Sequence, residues 1–187
     1  MSTAVTPPLA SLEYLQLALD HARKCVPTPT AFCVGCVIVA FVSINDTSTP
    51  IVLSTGFSRE LEGNTHAEAN ALEKARQLSE EDIGRLISEQ LPSSNLTTIP
   101  TIDALLRSSD VYTTLEPCSV RLSGLSPCAD ALIEAQVKRC IIGVGEPDDF
   151  VKCEGARKLS DAGIDVIWMR DIEEECLAVA RTGHDSK

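Results

Sequence analysis

Apolar residues recur at helical spacing near the start of the chain. They are Leu12, Leu15, Ala18, Leu19 and Ala22. This period predicts an amphipathic helix over about 11–25, which the following Val-Pro-Thr-Pro-Thr segment would end. Residues 1–10 lack the period and contain two adjacent prolines, so we expect them to form a flexible tail.

Two apolar runs separated by a polar turn come next. The run over 34–42 is continuously apolar, which is typical of a strand buried on both faces. The turn-forming cluster over 45–50 leads into a second strand at 51–55. This pair predicts one antiparallel strand at the edge of an otherwise parallel sheet.

The rest of the chain alternates between helical and strand patterns. Strands are predicted at 111–115, 139–145 and 165–169, and helices at 66–78, 128–137, about 152–162 and about 171–182. Such alternation indicates a layered α/β fold. We expect one domain over 11–182, in which residues 79–109 form a partly helical surface insertion with a short helix near 101–107.

Charge and composition exclude several classes of protein. The chain has 187 residues with 27 acidic against 16 basic side chains, a net charge of −11, which argues against a nucleic-acid partner because phosphate backbones are held by Lys and Arg. No apolar run approaches the ~20 residues that span a bilayer, so no membrane association is expected. The first residues lack the pattern of a secretory signal, so the eight cysteines are expected to be reduced, in the cytoplasm or alternatively the nucleus.

Two segments carry residues suited to a metal centre. The first is Thr65-His-Ala-Glu, and the second runs from Thr114-Leu-Glu-Pro-Cys to Ser-Pro-Cys128. His66, Cys118 and Cys128 together offer an imidazole and two thiolates, a set that suits zinc. Three protein ligands leave a fourth position for water, as in catalytic zinc sites, and Glu68 would take a proton from that water and pass it to a substrate nitrogen.

The expected positions of these residues support the prediction, although other interpretations exist. Ser126 is predicted to cap the helix that has Cys128 in its first turn, and His66 is predicted to begin another helix. Helix N-termini stabilise negative charge, so a thiolate ligand is favoured there. On the other hand, Thr65-x-x-Glu68 also fits a capping box, in which Glu68 only satisfies a backbone N–H. The remaining cysteines, including the Cys33-x-x-Cys36 pair, are interpreted as structural, and His184 is expected to face solvent.

The two segments together resemble the zinc-dependent nucleobase deaminases, which share a His-x-Glu and a Pro-Cys-x-x-Cys pattern. Here nine residues, instead of two, separate Cys118 from Cys128, as in the riboflavin-biosynthesis deaminases. Thr65-His-Ala-Glu-Ala-Asn-Ala-Leu, Thr114-Leu-Glu-Pro-Cys-Ser and Pro127-Cys-Ala-Asp-Ala-Leu-Ile all resemble that family. The resemblance covers about 11–78 and 110–182.

The resemblance implies a three-layer α/β/α cytidine-deaminase-like fold around a mixed five-stranded sheet. It also implies zinc bound by His66, Cys118 and Cys128, with Glu68 as the proton shuttle. The implied reaction is hydrolytic removal of the 2-amino group of a phosphorylated diamino-pyrimidinone. The fungal members, which act on the ribityl compound 2,5-diamino-6-ribitylamino-4(3H)-pyrimidinone 5'-phosphate, resemble this chain better than the bacterial ones.

The predicted substrate contacts depart from the bacterial pattern. Arg121 is the only cation between the two cysteine ligands and is a candidate for the phosphate, with Lys152 as a second candidate. Asp148 stands in a Glu-Pro-Asp turn that replaces the family's Asp-Pro-Asn. A homodimer is also expected. Two alternatives remain open at this stage: a deaminase of cytosine, cytidine nucleotides or tRNA, and a non-catalytic binding subunit, which would have no need of Glu68.

Overall fold

A central sheet of five strands organises the chain. The computed structural model describes residues 9–44, 47–63, 65–92, 98–121, 124–147 and 153–184. The strands are β1 (Gly35–Ile44), β2 (Thr47–Phe57), β3 (Asp110–Leu115), β4 (Arg139–Val144) and β5 (Asp165–Trp168). They lie in the order β2-β1-β3-β4-β5.

One strand of this sheet runs against all the others, but it is not at the edge. β1 is antiparallel to both β2 and β3, whereas β3, β4 and β5 are mutually parallel. The prediction of a single antiparallel strand is therefore confirmed, and its placement at the edge is wrong. Burial explains the difference, because most residues of β1 are buried, whereas the first four residues of β2 are exposed or half-buried. The more apolar strand takes the inner position and the more polar one the edge.

Helices cover both faces of the sheet, as the resemblance implied. α1 (Leu9–Ala22) packs on β1 and β3 and contacts α7 (Glu173–Ala180), which lies along β3 and β4. α2 (Ala67–Arg76) packs on β2 and β1 and contacts α5 (Cys128–Glu134), which in turn contacts α6 (Gly155–Asp161) beside β5. α1 and α2 lie on opposite faces of the sheet. Gly35 abuts α1, whereas Gly56 abuts α2. Gly56 pairs with Cys36 and so shares its face, and adjacent residues such as Gly35 and Cys36 point to opposite faces.

The helix bounds differ from the predicted ones at their ends. α1 runs from Leu9 to Ala22, so it begins inside the predicted tail and ends before Cys25; the last turn tightens, with Lys24 N–H bonded to the His21 carbonyl. Within 79–109, the structure has α3 (Glu80–Gln90) and α4 (Ile102–Arg107), the second as expected. This segment is not wholly on the surface, because Ile83, Ile87, Leu105 and Leu106 join the core. In the part of the chain that is described, no helix is both long and apolar enough to cross a membrane.

Candidate active site

The predicted site residues meet at one edge of the sheet. β2, β3 and β4 end at this edge and β1 begins there, since Gly35 pairs with Phe57 and Leu115 pairs with Val144. Ligand sites in open α/β sheets lie outside the carboxyl ends of the strands. A cavity of about 210 Å³ opens at this edge. Its lining includes His66, Glu68, Cys118, Arg59, Arg121 and Glu146.

The structure brings together His66, Cys118 and Cys128, the three residues that the sequence predicts as metal ligands. Their ligand atoms lie within 4.8 Å of one another, and His66 Nδ1 is 3.5 Å from each Sγ atom. Tetrahedral zinc, with Zn–S of about 2.3 Å and Zn–N of about 2.0–2.1 Å, requires an N···S separation of about 3.5–3.6 Å. The donor types and their spacing therefore fit zinc, with Nδ1 as the imidazole ligand atom. In the described part of the chain, this is the one cluster of three or more such groups.

Backbone hydrogen bonds at the start of α5 hold the two cysteines together. Cys128 N–H donates to Cys118 Sγ at 3.3 Å, and Ala129 N–H donates to the Cys118 carbonyl at 3.2 Å. These bonds satisfy the first N–H groups of α5, which a capping side chain would otherwise accept. The prediction of Ser126 as the cap is therefore wrong. Pro127 occupies the cap position and makes no side-chain bond. Hydrogen bonds donated by the Cys128 thiol, by His66 and by the Cys128 N–H lower the pKa of the Cys118 thiol.

α2 carries His66 and Glu68 to the cavity. A Cβ atom on Gly56 would lie 2.3 Å from the Ala67 carbonyl oxygen, so only glycine lets α2 approach β2 this closely. His66 stands at the cap position and Glu68 in the first turn, where Glu68 is 3% exposed. Burial raises the pKa of the Glu68 carboxyl, and the Cys118 thiolate adds to the effect.

The capping-box alternative for Glu68 does not hold in this structure. The cap residue of α2 is His66, with no side-chain capping bond, and the Thr65 hydroxyl donates to the Leu61 carbonyl at 3.1 Å. The Glu68 carboxyl instead accepts a hydrogen bond from Thr113 on β3 at 2.9 Å. The carboxyl is therefore held between the helix and the sheet, beside the metal ligands.

Two features of the cavity wall were not predicted from the sequence. Arg59 lies after β2 with φ of +63°, and its guanidinium donates to the Val26 carbonyl at 2.8 Å and the Phe32 carbonyl at 3.2 Å. It thereby ties the segment before β1 to the loop after β2. His184 stacks on Phe32 with ring centroids 4.9 Å apart, so it supports the wall, whereas the sequence placed it in solvent. No local pattern in the sequence pointed to either contact.

The predicted substrate contacts are only partly within the described residues. Arg121 lines the cavity. Asp148 and Lys152 lie outside the described residues. Glu146 also lines the cavity, and burial raises the pKa of its carboxyl. The Glu116 carboxylate accepts a hydrogen bond from the Ala156 N–H at 2.9 Å, which holds α6 beside the segment that carries Cys118.

The other cysteines lie outside the metal cluster. None of the eight forms a disulfide. Cys36 is fully buried in β1, and Cys33 contacts the Arg59 guanidinium at 3.7 Å. The interpretation of the Cys-x-x-Cys pair as structural agrees with these positions.

Comparison with known proteins extends the resemblance over most of the chain. Residues 10–144 match the family described as the cytidine and deoxycytidylate deaminase zinc-binding region. The diaminohydroxyphosphoribosylamino-pyrimidine deaminase of Schizosaccharomyces pombe is 37% identical over 187 residues, which is all of this chain and 39% of that protein. The chloroplastic riboflavin biosynthesis protein PYRD of Arabidopsis thaliana is 30% identical over 87% of this chain and 29% of its own length. The chain thus spans well under half of the curated relatives it matches.

Solved structures agree with the sequence comparison. The Rib2 deaminase of Aspergillus oryzae, solved alone and in complex with DARIPP, is 29% identical and superposes with a TM-score of 0.67 over 94% of this chain and 92% of its own. The RibD protein of Acinetobacter baumannii is 27% identical with a TM-score of 0.60, over 90% of this chain and 37% of its own. With the metal-ligand set in place and the family matched across residues 10–144, the chain belongs to the cytidine and deoxycytidylate deaminase zinc-binding family.

Proposed function

We propose that this protein is a zinc-dependent hydrolytic deaminase of riboflavin biosynthesis. Its substrate would be 2,5-diamino-6-ribitylamino-4(3H)-pyrimidinone 5'-phosphate, which loses its 2-amino group to give the uracil product and ammonia. The observation that carries the proposal is one cavity lined by His66, Cys118 and the buried carboxyl of Glu68, with Cys128 completing the candidate ligand set beside it. The deaminase name of the S. pombe relative and the DARIPP complex of the A. oryzae deaminase support this substrate class.

His66, Cys118 and Cys128 would hold the zinc, which when bound supplies Lewis-acid activation of a water molecule. In the reaction, water replaces the amino group at C2 and ammonia leaves. Glu68 is the group on this chain that moves the protons, because its carboxyl lines the cavity next to Cys118. It accepts a proton from the water and delivers it to a nitrogen of the substrate. Burial favours the neutral carboxyl, and a carboxylic acid with a raised pKa is a better proton donor near neutral pH.

We further propose that cations near the cavity mouth hold the phosphate. Arg121 lies in the cavity wall, three residues after the ligand Cys118. Its planar guanidinium can donate two parallel hydrogen bonds to phosphate oxygens, and it offsets the repulsion of an anion by a chain of net charge −11. Lys152 and Asp148 remain the other proposed substrate contacts.

We also propose a homodimer that works in the cytoplasm. Closed two-fold pairing is the commonest assembly of soluble proteins, and the eight unpaired cysteines agree with a reducing compartment. The mass measured in solution at micromolar concentration tests the assembly, where a clean monomer would contradict it.

Ammonia release by the zinc-loaded protein tests the proposed activity. The ribityl and ribosyl diaminopyrimidinone phosphates, cytidine and deoxycytidylate should be compared at equal concentration, with protein stripped by a chelator as the control. We expect the ribityl compound to be the best substrate and the stripped protein to be inactive. A preference for cytidine or deoxycytidylate would overturn the substrate assignment, and no release from any of them would favour a non-catalytic binding subunit.

A further inference from the structure

A buried hydroxyl outside the cavity contacts the Glu68 carboxyl. Thr113 is completely buried in β3 and does not line the cavity. Its Oγ1 lies 2.9 Å from Glu68 Oε1 and also 2.9 Å from the Leu115 carbonyl oxygen. The strand around it is fixed on both sides, because Thr113 pairs with Cys36 of β1 and with Ile142 of β4.

The chemistry of this contact differs from that of an ordinary structural hydrogen bond. A threonine hydroxyl has one proton to donate and lone pairs to accept. When Glu68 is ionised, the hydroxyl donates to Oε1. When Glu68 carries a proton on that oxygen, it can donate to Thr113, which then donates to the Leu115 carbonyl. The bond between Thr113 Oγ1 and Glu68 Oε1 is therefore kept in both forms with its donor reversed, and the Leu115 carbonyl accepts the Thr113 proton only in the second form.

We propose that Thr113 is a positioning residue for deamination, whose buried hydroxyl fixes the orientation of the Glu68 carboxyl through its 2.9 Å contact with Oε1. The inference rests on the proposed function, since Glu68 is the proton shuttle of that reaction. A shuttle held in one orientation through the whole cycle loses no time or energy to reorientation between proton transfers. Valine at position 113 would keep the shape of the side chain and remove this bond.

The chain offers a matched control on the next residue. Thr114 is also completely buried in β3, but adjacent residues of a strand face opposite ways. Its Oγ1 accepts the Gly35 N–H at 3.1 Å, on the side away from Glu68. Thr114→Val therefore removes a buried hydroxyl of the same type from the same strand without touching the shuttle.

The experiment compares Thr113→Val, Thr113→Ser and Thr114→Val for zinc content, thermal unfolding, kcat and KM on the substrate that the wild-type protein turns over. We expect Thr113→Val to keep its zinc and lower kcat by about tenfold to a hundredfold, the usual worth of a hydrogen bond to a charged group, with KM changed less than about threefold. Thr113→Ser should recover most of kcat. Thr114→Val should unfold at a lower temperature and keep the wild-type kcat.

Several results would overturn the proposal. They are wild-type kcat in a zinc-loaded Thr113→Val protein, an equal loss in the serine variant, or a loss in Thr114→Val as large as that in Thr113→Val. In a Glu68→Gln background, adding Thr113→Val should have little further effect, and a full additional loss would also contradict it. If the valine variant loses zinc, Thr113→Ala removes the hydroxyl without inserting a methyl group there and is judged by the same criteria. An inactive wild-type protein would instead refute the proposed function.

Discussion

Gly155 offers a test of how the fold holds the cysteine ligands. It is the first residue of α6 and packs directly against the backbone of Pro117, the residue before the ligand Cys118. A Cβ atom at position 155 would lie 1.6 Å from the Pro117 carbonyl oxygen and 2.8 Å from its carbonyl carbon. Because both contacts are with backbone atoms, no side chain can rotate to make room for Gly155→Ala.

The size of the clash predicts its consequence. Non-bonded contacts of this kind relax only beyond about 3.3–3.5 Å, so α6 and the Pro117 carbonyl must separate by about 1.5 Å or more. Metal–ligand distances tolerate changes of only about 0.2 Å. Two contacts join the same parts: Ala156 N–H bonds to Glu116, and the Cys153 thiol bonds to the Pro117 carbonyl at 3.4 Å. The displacement should therefore reach Cys118.

We expect Gly155→Ala to lose most of its zinc and about 1–3 kcal/mol of stability, as overpacked sites do. Zinc per chain, measured by elemental analysis after dialysis, and denaturant unfolding would both be recorded. Gly145→Ala is the matched control, because a Cβ there meets nothing closer than 3.8 Å. If the alanine at position 155 left zinc content and stability unchanged, the close approach of α6 to Pro117 would not exist in solution.

Three other substitutions give separate expectations. Cys128→Ser should lose most of the zinc, because a neutral hydroxyl is a much poorer zinc ligand than a thiolate; elemental analysis that found full zinc would remove Cys128 from the site. Arg121→Ala should lower kcat/KM about tenfold to a hundredfold for the phosphorylated substrate and much less for an analogue without phosphate, while an equal loss for both would mean that Arg121 only shapes the loop. Asp110→Asn should lower the free energy of unfolding by about 3 kcal/mol, because Asp110 is 1% exposed and bonds the Arg139 guanidinium at 2.7 and 2.5 Å. Its zinc content should stay unchanged, since Asp110 begins β3 at the end remote from Cys118.

The candidate metal ligands could be predicted from the sequence because histidine and cysteine are the side chains that zinc prefers. His66, Cys118 and Cys128 are recognisable by type and spacing alone, and the structure brings them together. The order of the strands in the sheet was harder to predict from the sequence. The apolar run of β1 correctly indicated burial on both faces, but whether β1 lies at the edge depends on its second neighbour, β3, which comes from a distant part of the chain.

The errors at the site have a common physical cause. Ser126 has the right side chain to cap α5, but Cys118 satisfies the free N–H groups there through a contact between residues ten apart. Likewise, Thr113 meets Glu68 across 45 residues of sequence. A cue did exist in this case, because a hydroxyl in a strand expected to be buried needs a hydrogen-bond partner, although the cue does not say which one. Arg59 gave no cue, since its carbonyl partners carry no sequence signal.

The central claim is that Glu68 moves protons at a zinc site built by His66, Cys118 and Cys128. Turnover by Glu68→Gln tests it most directly, with ammonia release measured side by side with the wild-type protein at equal zinc content. The account predicts that the glutamine variant binds zinc as fully as the wild type and folds normally, while its kcat falls by about 10²–10⁴-fold or more. A zinc-loaded Glu68→Gln protein that released ammonia at nearly the wild-type rate would contradict the account.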